Sequence, residues 1–195
     1  MYKGTSASAG IGIGKAVIVE EAELVITRQA VSDGEAEIQR FKGALEQTIK
    51  DTERLAEDLA VRVGEKEAEI MQGHMMLLSD PMLTGEIENS IKNDGVNSEF
   101  AIENVCNMYA DMFASMGDEL MQQRATDMRD IKTRMQRVLM GIQSVDISSL
   151  PAGSILVAKD LTPSMTAGIN PANVTGIVTE LGGRTSHSAI LARAL

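Results

Sequence analysis

The chain has 195 residues, of which 44% are hydrophobic, and this is enough to build the cores of one or two domains. It carries 28 acidic and 18 basic residues, and the resulting net charge of −10 argues against nucleic acid and membrane partners and favours basic proteins. No apolar run approaches the ~20 residues that cross a bilayer, and no signal peptide is recognisable, so we expect a cytoplasmic protein. Its one cysteine, Cys106, excludes an internal disulfide and is expected to be buried.

The first 31 residues predict loops and one strand. Glycines at positions 4, 10, 12 and 14 precede the β-prone run from Ala16 to Val19. The sequence GIGIG does not predict a dinucleotide site, because a strand follows it where that fingerprint requires a helix.

Residues 32–143 show the three- and four-residue spacing of apolar side chains that is typical of amphipathic helices. Ser32 and Glu35 predict a capping box at the start of a long helix that ends near Gly64. Shorter helices are predicted at about residues 66–78, 81–93, 98–112 and 118–141, with Ser98 as the cap of the fourth helix. Short connections between them favour a bundle of antiparallel neighbours.

The whole surplus of negative charge lies in this helical segment, which holds 22 acidic and 12 basic residues. A solvated helix face and an acidic docking surface would both explain it. In the second helix, Met71, Met75, Met76, Leu77 and Leu78 are more apolar side chains than one face can bury, so we expect Met76 or Leu77 to be exposed. His74, on the same helix, is predicted to be structural.

From residue 144 the sequence again predicts strands and short helices. GSILVAKD and VTGIVTE are typical of buried strands, and LTPSMTAGI predicts a short helix with Thr162 as its cap and Pro163 at its first position. The expected architecture is an α/β domain made of residues 1–31 and 144–195, into which a helical subdomain of residues 32–143 is inserted.

The sequence GGRTSHSAILAR, residues 182–193, predicts a phosphate site with a histidine in it. Gly182 and Gly183 end the turn after a strand, and Thr185 or Ser186 can cap a helix whose first turn contains His187. Unpaired N–H groups and the helix dipole favour an anion at such an end. The side chains that can donate hydrogen bonds to phosphate there are Arg184, Thr185, Ser186 and Ser188.

An imidazole beside a phosphate site suggests covalent catalysis. Free histidine has a pKa of about 6.5, so His187 is mostly neutral at pH 7 and is a competent nucleophile for a phosphoryl group. A cap-region histidine beside ordinary turn glycines is the alternative. A metal site is not favoured, because His74 lies on another element and no ligand cluster accompanies His187.

Beyond these physical arguments, GGRTSHSAILAR resembles the phosphohistidine signature shared by enzyme I of the bacterial phosphoenolpyruvate:sugar phosphotransferase system, pyruvate phosphate dikinase and phosphoenolpyruvate synthase. ASAGIGIGKA, GHMMLLSDP, RATDMRDI and DLTPSMTA resemble enzyme I in order and spacing, so the similarity covers essentially the whole chain. The dikinases would not carry this helical insertion. The resemblance implies a swivelling α/β phosphohistidine domain with an inserted helical subdomain that binds HPr, the small histidine phosphocarrier.

By this resemblance, His187 takes the phosphoryl group of phosphoenolpyruvate on Nε2 and passes it to HPr in the first step of sugar uptake. Thr166 matches the threonine that hydrogen-bonds this histidine, and Arg184 matches the arginine beside it. The residues that match the HPr-facing positions of the family are Glu65, Lys66, Glu69, Met76, Leu77 and Arg124.

The family continues beyond this sequence into the rest of the α/β domain and a barrel that binds phosphoenolpyruvate and Mg²⁺ and forms a homodimer. The resemblance therefore implies an N-terminal fragment that has no cofactor of its own, is inactive alone on phosphoenolpyruvate and can be monomeric. Two alternatives stay open: a relative of the dikinases, and a non-catalytic acidic binding module in which His187 takes no part.

Overall fold

The structure of the chain is a computed structural model that describes residues 4–183, 189, 190 and 193, the side chain of residue 67 excepted. It contains a parallel sheet and a larger set of helices, so the predicted combination of α/β and all-α parts is confirmed. Residues 189, 190 and 193 are also helical. In chain order the elements are β1 (Lys15–Val19), α1 (Gly34–Arg62), α2 (Glu65–Leu78), α3 (Pro81–Asp94), α4 (Ser98–Ser115), α5 (Glu119–Met140), a 3₁₀ turn (Ile147–Ser149), β2 (Ser154–Ala158), α6 (Pro163–Ala167) and β3 (Val174–Thr179).

Local sequence signals set the ends of α3 and α5, which lie within one residue of the predicted bounds. Asp80 accepts a hydrogen bond from the backbone N–H of Met82 at 2.8 Å, and Gly95 ends α3 in the left-handed conformation at φ 61°. Asp118 and Gly141 bound α5 in the same way. An aspartate side chain satisfies N–H groups that the first helical turn leaves unpaired, and glycine adopts a positive φ without a steric cost.

Two predicted caps are wrong by one residue. Asp33, rather than Ser32, caps α1, because its Oδ1 accepts from the backbone N–H of Ala36 at 3.0 Å. An aspartate caps as well as a serine and also gains from the helix dipole, so the predicted box of Ser32 and Glu35 does not form. Asn97 occupies the cap position of α4, and Ser98 lies inside the helix.

The helical unit comprises Glu23–Arg54 and Met71–Gln143. Its core is aliphatic and methionine-rich, because the chain has no tryptophan and only 3% aromatic residues. Cys106 is fully buried in this core, as predicted, and burial raises the pKa of its thiol to about 12. The largest fully buried side chains of this core are Phe41, Leu78, Ile87, Ile91, Ile102, Met128, Ile131 and Met135.

An ion-pair cluster joins α1 to α4 at the edge of the helical unit. The guanidinium of Arg40 donates to Glu37 and to Glu99, each at 2.7 Å, and Glu37 also accepts from the backbone N–H of Ser98 at 2.7 Å. Burial alone would raise the pKa values of both carboxyls, but the hydrogen bonds from Arg40 and the backbone outweigh it and lower them. The cluster thus stabilises the contact between two helices through charge-assisted hydrogen bonds.

The α/β unit comprises Met1–Ala22, Leu55–Ile70 and Ser144–Leu195. Its strands are all parallel, in the order β1-β2-β3. Val17, Leu156 and Ile177 are neighbours across the sheet and pack on its core side, whereas Ile18 and Val178 on the other side are 70% and 53% exposed. The predicted boundaries, 1–31, 32–143 and 144–195, stay a prediction.

Within the described residues, no helix combines the length and the hydrophobicity that crossing a bilayer requires.

Candidate functional site

Residues of the predicted phosphate site follow two neighbouring parallel strands. Helix α6, which carries Thr166, comes after β2, and Gly182 and Gly183 come after β3. Backbone pairing continues past the end of β3, where the N–H of Leu181 donates to the carbonyl of Lys159 at 2.8 Å. Because the carboxyl ends of parallel strands meet at one edge of a sheet, the structure brings both segments to the edge where α/β proteins bind ligands.

Thr166 is 1% exposed, and its hydroxyl donates a hydrogen bond to the carbonyl of Thr162 at 2.9 Å. The side chain of Thr162 caps α6 by accepting from the N–H of Met165, as predicted. The Thr166 hydroxyl therefore donates its hydrogen bond within the helix, and its oxygen can still accept one from another group.

Arg62, at the end of α1, fixes the other end of α6. Its guanidinium donates to the carbonyls of Ala167 at 2.8 Å and of Gly168 at 3.4 Å, and also to that of Ile169. These carbonyls belong to the end of a helix, where they have no partner within the helix itself. Arg62 thereby holds the helix that carries Thr166.

The structure describes the two glycines of the predicted phosphate site but not the five residues that follow them. Gly182 has a φ of 95°, which favours glycine, and both Gly182 and Gly183 are exposed. The predicted roles of Arg184, Thr185, Ser186, His187 and Ser188 lie outside the described residues and stay predictions.

The predicted partner surface lies along α2. Glu65, Glu69, Gln72 and Met76 are all exposed, and at 100° per residue they fall on one face of the helix. Lys66 is also exposed, on an adjoining face. The face thus combines carboxylates, an amide and an apolar side chain.

The prediction that Met76 or Leu77 is exposed is confirmed, since the side chain of Met76 is 72% exposed. Leu77 is half-buried against the helical core, and Met71 and Leu78 are fully buried. This division follows from helical geometry, because residues on opposite sides of one turn cannot all face the core.

Arg124, on α5, belongs to the same region of the helical unit as Gly73 of α2. Its guanidinium lies against the backbone of Gly73, and its Nη1 is 3.6 Å from Oδ2 of Asp127. The other oxygen of Asp127 lies 3.2 Å from Nε2 of His74, which is fully buried, in keeping with the structural role that the sequence predicted. The Arg124 side chain is 32% exposed, so it is not fully enclosed by the helical unit.

Within the part of the chain that the structure describes, no three His, Cys, Asp or Glu residues are arranged to hold a metal ion.

Sequence reasoning missed Arg62, Gly73 and Asp127. Asp127 carried a local signal, since it follows Arg124 by three residues on a predicted helix, a spacing at which side chains meet. Gly73 was a glycine inside a predicted helix, which indicates a close approach by another group. Arg62 carried no local signal, because its acceptors lie more than 100 residues further along the chain.

Comparisons with known proteins agree with this arrangement. Residues 3–124 match the N-terminal family of PEP-utilising enzymes, and residues 150–195 match the mobile domain of PEP-utilising enzymes. The phosphoenolpyruvate-protein phosphotransferase of Bacillus subtilis (strain 168) is 42% identical over 99% of this chain, and that of Enterococcus faecalis (strain ATCC 700802 / V583) is 39% identical over all of it. The chain spans 34% of the length of each of these relatives.

Solved structures give the same result. An enzyme I structure determined by NMR in solution superposes with a TM-score of 0.87 at 40% identity, and the match covers 100% of this chain and 79% of that one. The N-terminal domain of a nitrogen enzyme 1 superposes with a TM-score of 0.67 at 26% identity, over 96% of this chain and 77% of that one. The chain therefore belongs to the family of PEP-utilising enzymes, and it corresponds to the N-terminal part of its enzyme I relatives.

Proposed function

We propose that the chain carries a phosphoryl group on Nε2 of His187, received from phosphoenolpyruvate and passed to the histidine of HPr. The observation that carries the proposal is that a buried Thr166 hydroxyl follows one strand and a positive-φ glycine turn follows the neighbouring parallel strand. The chain that contains them matches the enzyme I relatives. The relatives' name favours this transfer over the dikinase alternative.

The described geometry supplies a reason for reaction at Nε2. Because the Thr166 hydroxyl donates to Thr162, its oxygen is left to accept a hydrogen bond. An imidazole that donates Nδ1–H to this oxygen has its lone pair on Nε2, which is the nucleophilic form. Thr166 would thus select the tautomer of His187, and Arg62 would hold Thr166 in place through α6.

In the transfer, Nε2 of His187 forms a bond to phosphorus while the bond from phosphorus to the enolate oxygen breaks, and the enolate of pyruvate leaves with that electron pair. In the second transfer, a nitrogen of the HPr histidine forms a bond to phosphorus while the bond from phosphorus to Nε2 of His187 breaks, and that electron pair returns to the imidazole of His187. Charge on the phosphoryl oxygens would be stabilised by Arg184, by the hydroxyls of Thr185, Ser186 and Ser188, and by N–H groups after Gly182 and Gly183.

We assign the binding of phosphoenolpyruvate, Mg²⁺ and a second subunit to the part of the relatives that this chain does not match. In this proposal the present chain supplies the acceptor histidine and the surface that binds HPr. We expect it to be inactive alone on phosphoenolpyruvate. A cytoplasmic location and a monomeric state of this chain stay predictions.

The HPr surface is assigned to the exposed face of α2 with Arg124. Glu65 and Glu69 give the face a negative charge that suits a basic partner, and the exposed Met76 supplies an adaptable apolar contact. Of the six positions carried over from the family, Leu77 and Arg124 are partly buried and the other four are exposed.

Incubation with phosphorylated HPr tests the proposal, because the chain has only two histidines. We expect an acid-labile phosphate that mass spectrometry places on His187, that is absent in His187→Ala and that forms more slowly in Thr166→Val. Phosphate on His74, or none on either histidine, contradicts the proposal.

A second candidate function, an acidic binding module, is favoured by the confinement of the whole net charge of −10 to residues 32–143. It predicts a complex with HPr that forms without phosphate transfer. Incubation with phosphorylated HPr separates this module from the phosphoryl carrier, because only the carrier takes up phosphate. A dikinase relative predicts no affinity for HPr, so a titration of HPr followed by NMR tests that third alternative.

A further inference from the structure

We infer that Gly73, Asp127 and His74 are positioning residues that fix the guanidinium of Arg124 on the α2 surface, where it binds an acidic or carbonyl group of the partner. This inference rests on the proposed function, in which that surface binds HPr. It adds a fixed cation beside the carboxylates, the amide and the apolar side chain of that face, and so specifies where an acceptor group of the partner must lie.

Gly73 supplies the space for this cation. Glycine inside a helix is less favourable than alanine, so its presence in the middle of α2 calls for a reason. A Cβ built at position 73 would overlap Nη1 of Arg124 and would lie 3.4 Å from its Cζ. At Gly43 of α1 and at Gly85 of α3, a Cβ would meet nothing within 4 Å. The guanidinium therefore occupies the volume that any other residue at position 73 would fill.

Asp127 supplies the charge that orients the guanidinium. Its side chain is 7% exposed, and its two oxygens face different partners, Arg124 at 3.6 Å and His74 at 3.2 Å. His74 is enclosed further by Asp130, whose Oδ2 lies 3.9 Å from Nδ1. Because Asp127 is buried and one of its oxygens contacts His74, the position of the other oxygen, which attracts the guanidinium, is restricted.

A fixed arginine suits recognition. A free arginine loses much of its rotamer freedom when it binds a partner, whereas one that is already held loses little. The planar donor fork of Arg124 can then meet a carboxylate or carbonyl with defined geometry. The exposed third of its side chain is the part available for this contact.

The test is a double-mutant cycle between positions 73 and 124, with HPr affinity measured by isothermal titration. We expect Gly73→Ala to weaken binding by about tenfold, because it displaces the guanidinium of Arg124 and arginine is among the residues whose interface contacts contribute most. Arg124→Ala should lose a similar factor, and Gly73→Ala should add no further loss in the Arg124→Ala background. The matched control is Gly43→Ala, another helical glycine, which should bind as the unaltered chain does.

Thermal melts separate positioning from folding. Alanine favours the helix, and the group it displaces is the flexible end of an arginine, so Gly73→Ala should melt at the same or a higher temperature. Asp127→Asn is the second variant, and it should also weaken binding only where Arg124 is present.

Two results overturn the inference alone: unchanged HPr affinity of Gly73→Ala, or an equal loss with and without Arg124. Absence of HPr binding by the unaltered chain instead overturns the proposed function, and this inference with it.

Discussion

The contact of Arg62 with α6 yields a quantitative prediction. Replacing Arg62 with methionine keeps the aliphatic stem but removes the donors to the carbonyls of Ala167, Gly168 and Ile169. A hydrogen bond to a charged group is worth about 1.5–3 kcal/mol. Since the site is only part-buried and the longest of these contacts is 3.4 Å, we expect a total loss of about 2–3 kcal/mol in the free energy of unfolding of the α/β unit.

The assay is hydrogen exchange of the amides in residues 164–169, supported by urea unfolding. Exchange reports the local free energy of opening, so α6 should lose protection in Arg62→Met while the core of the helical unit keeps it. Transfer of phosphate from phosphorylated HPr should slow in parallel, because the displaced helix carries Thr166.

Arg54→Met is the matched control on the same helix. Its side chain is 75% exposed and lies 3.6 Å from Asp51, so we expect a change within about 0.5 kcal/mol. Equal stability of the Arg62 and Arg54 variants would refute the assigned role of Arg62, as would a loss of stability that left exchange in α6 unchanged.

Two further predictions concern pH and thiol chemistry. Because the pKa values of Glu37 and Glu99 are lowered in the folded chain, their contribution is present above about pH 4.5 and is lost as pH falls through the folded-state values. Urea unfolding between about pH 5 and pH 3 should therefore show a steeper loss for the unaltered chain than for Arg40→Gln, and parallel curves would contradict this. Since burial raises the pKa of Cys106 to about 12, iodoacetamide at about pH 8 should label it slowly when folded and rapidly in denaturant; rapid labelling of the folded chain would contradict its burial.

The elements that could be predicted from sequence are those with local causes. The strands follow from runs such as SILVA, and the ends of α3 and α5 follow from an aspartate before each helix and a glycine after it. The caps of α1 and α4 were misplaced because two adjacent residues could each serve, and local sequence does not rank Ser32 against Asp33.

Contacts between distant segments could not be predicted. A structural role for His74 was expected, but its carboxylate partner Asp127 lies 53 residues away on α5. For Arg62 the acceptors are backbone carbonyls, which carry no residue-type signal at all. The candidate site also depends on contacts between distant segments. Thr166 and the glycine turn lie at the same edge of the sheet only because β2 and β3 are parallel neighbours.

Because the guanidinium of Arg124 lies against Gly73, a single substitution at this glycine can weaken partner binding by the α2 surface. Alanine there would overlap the guanidinium of Arg124, yet alanine favours the helix itself. Gly73→Ala should therefore express and melt normally while it binds the partner more weakly, so a search for damaging mutations that scores only abundance would overlook it.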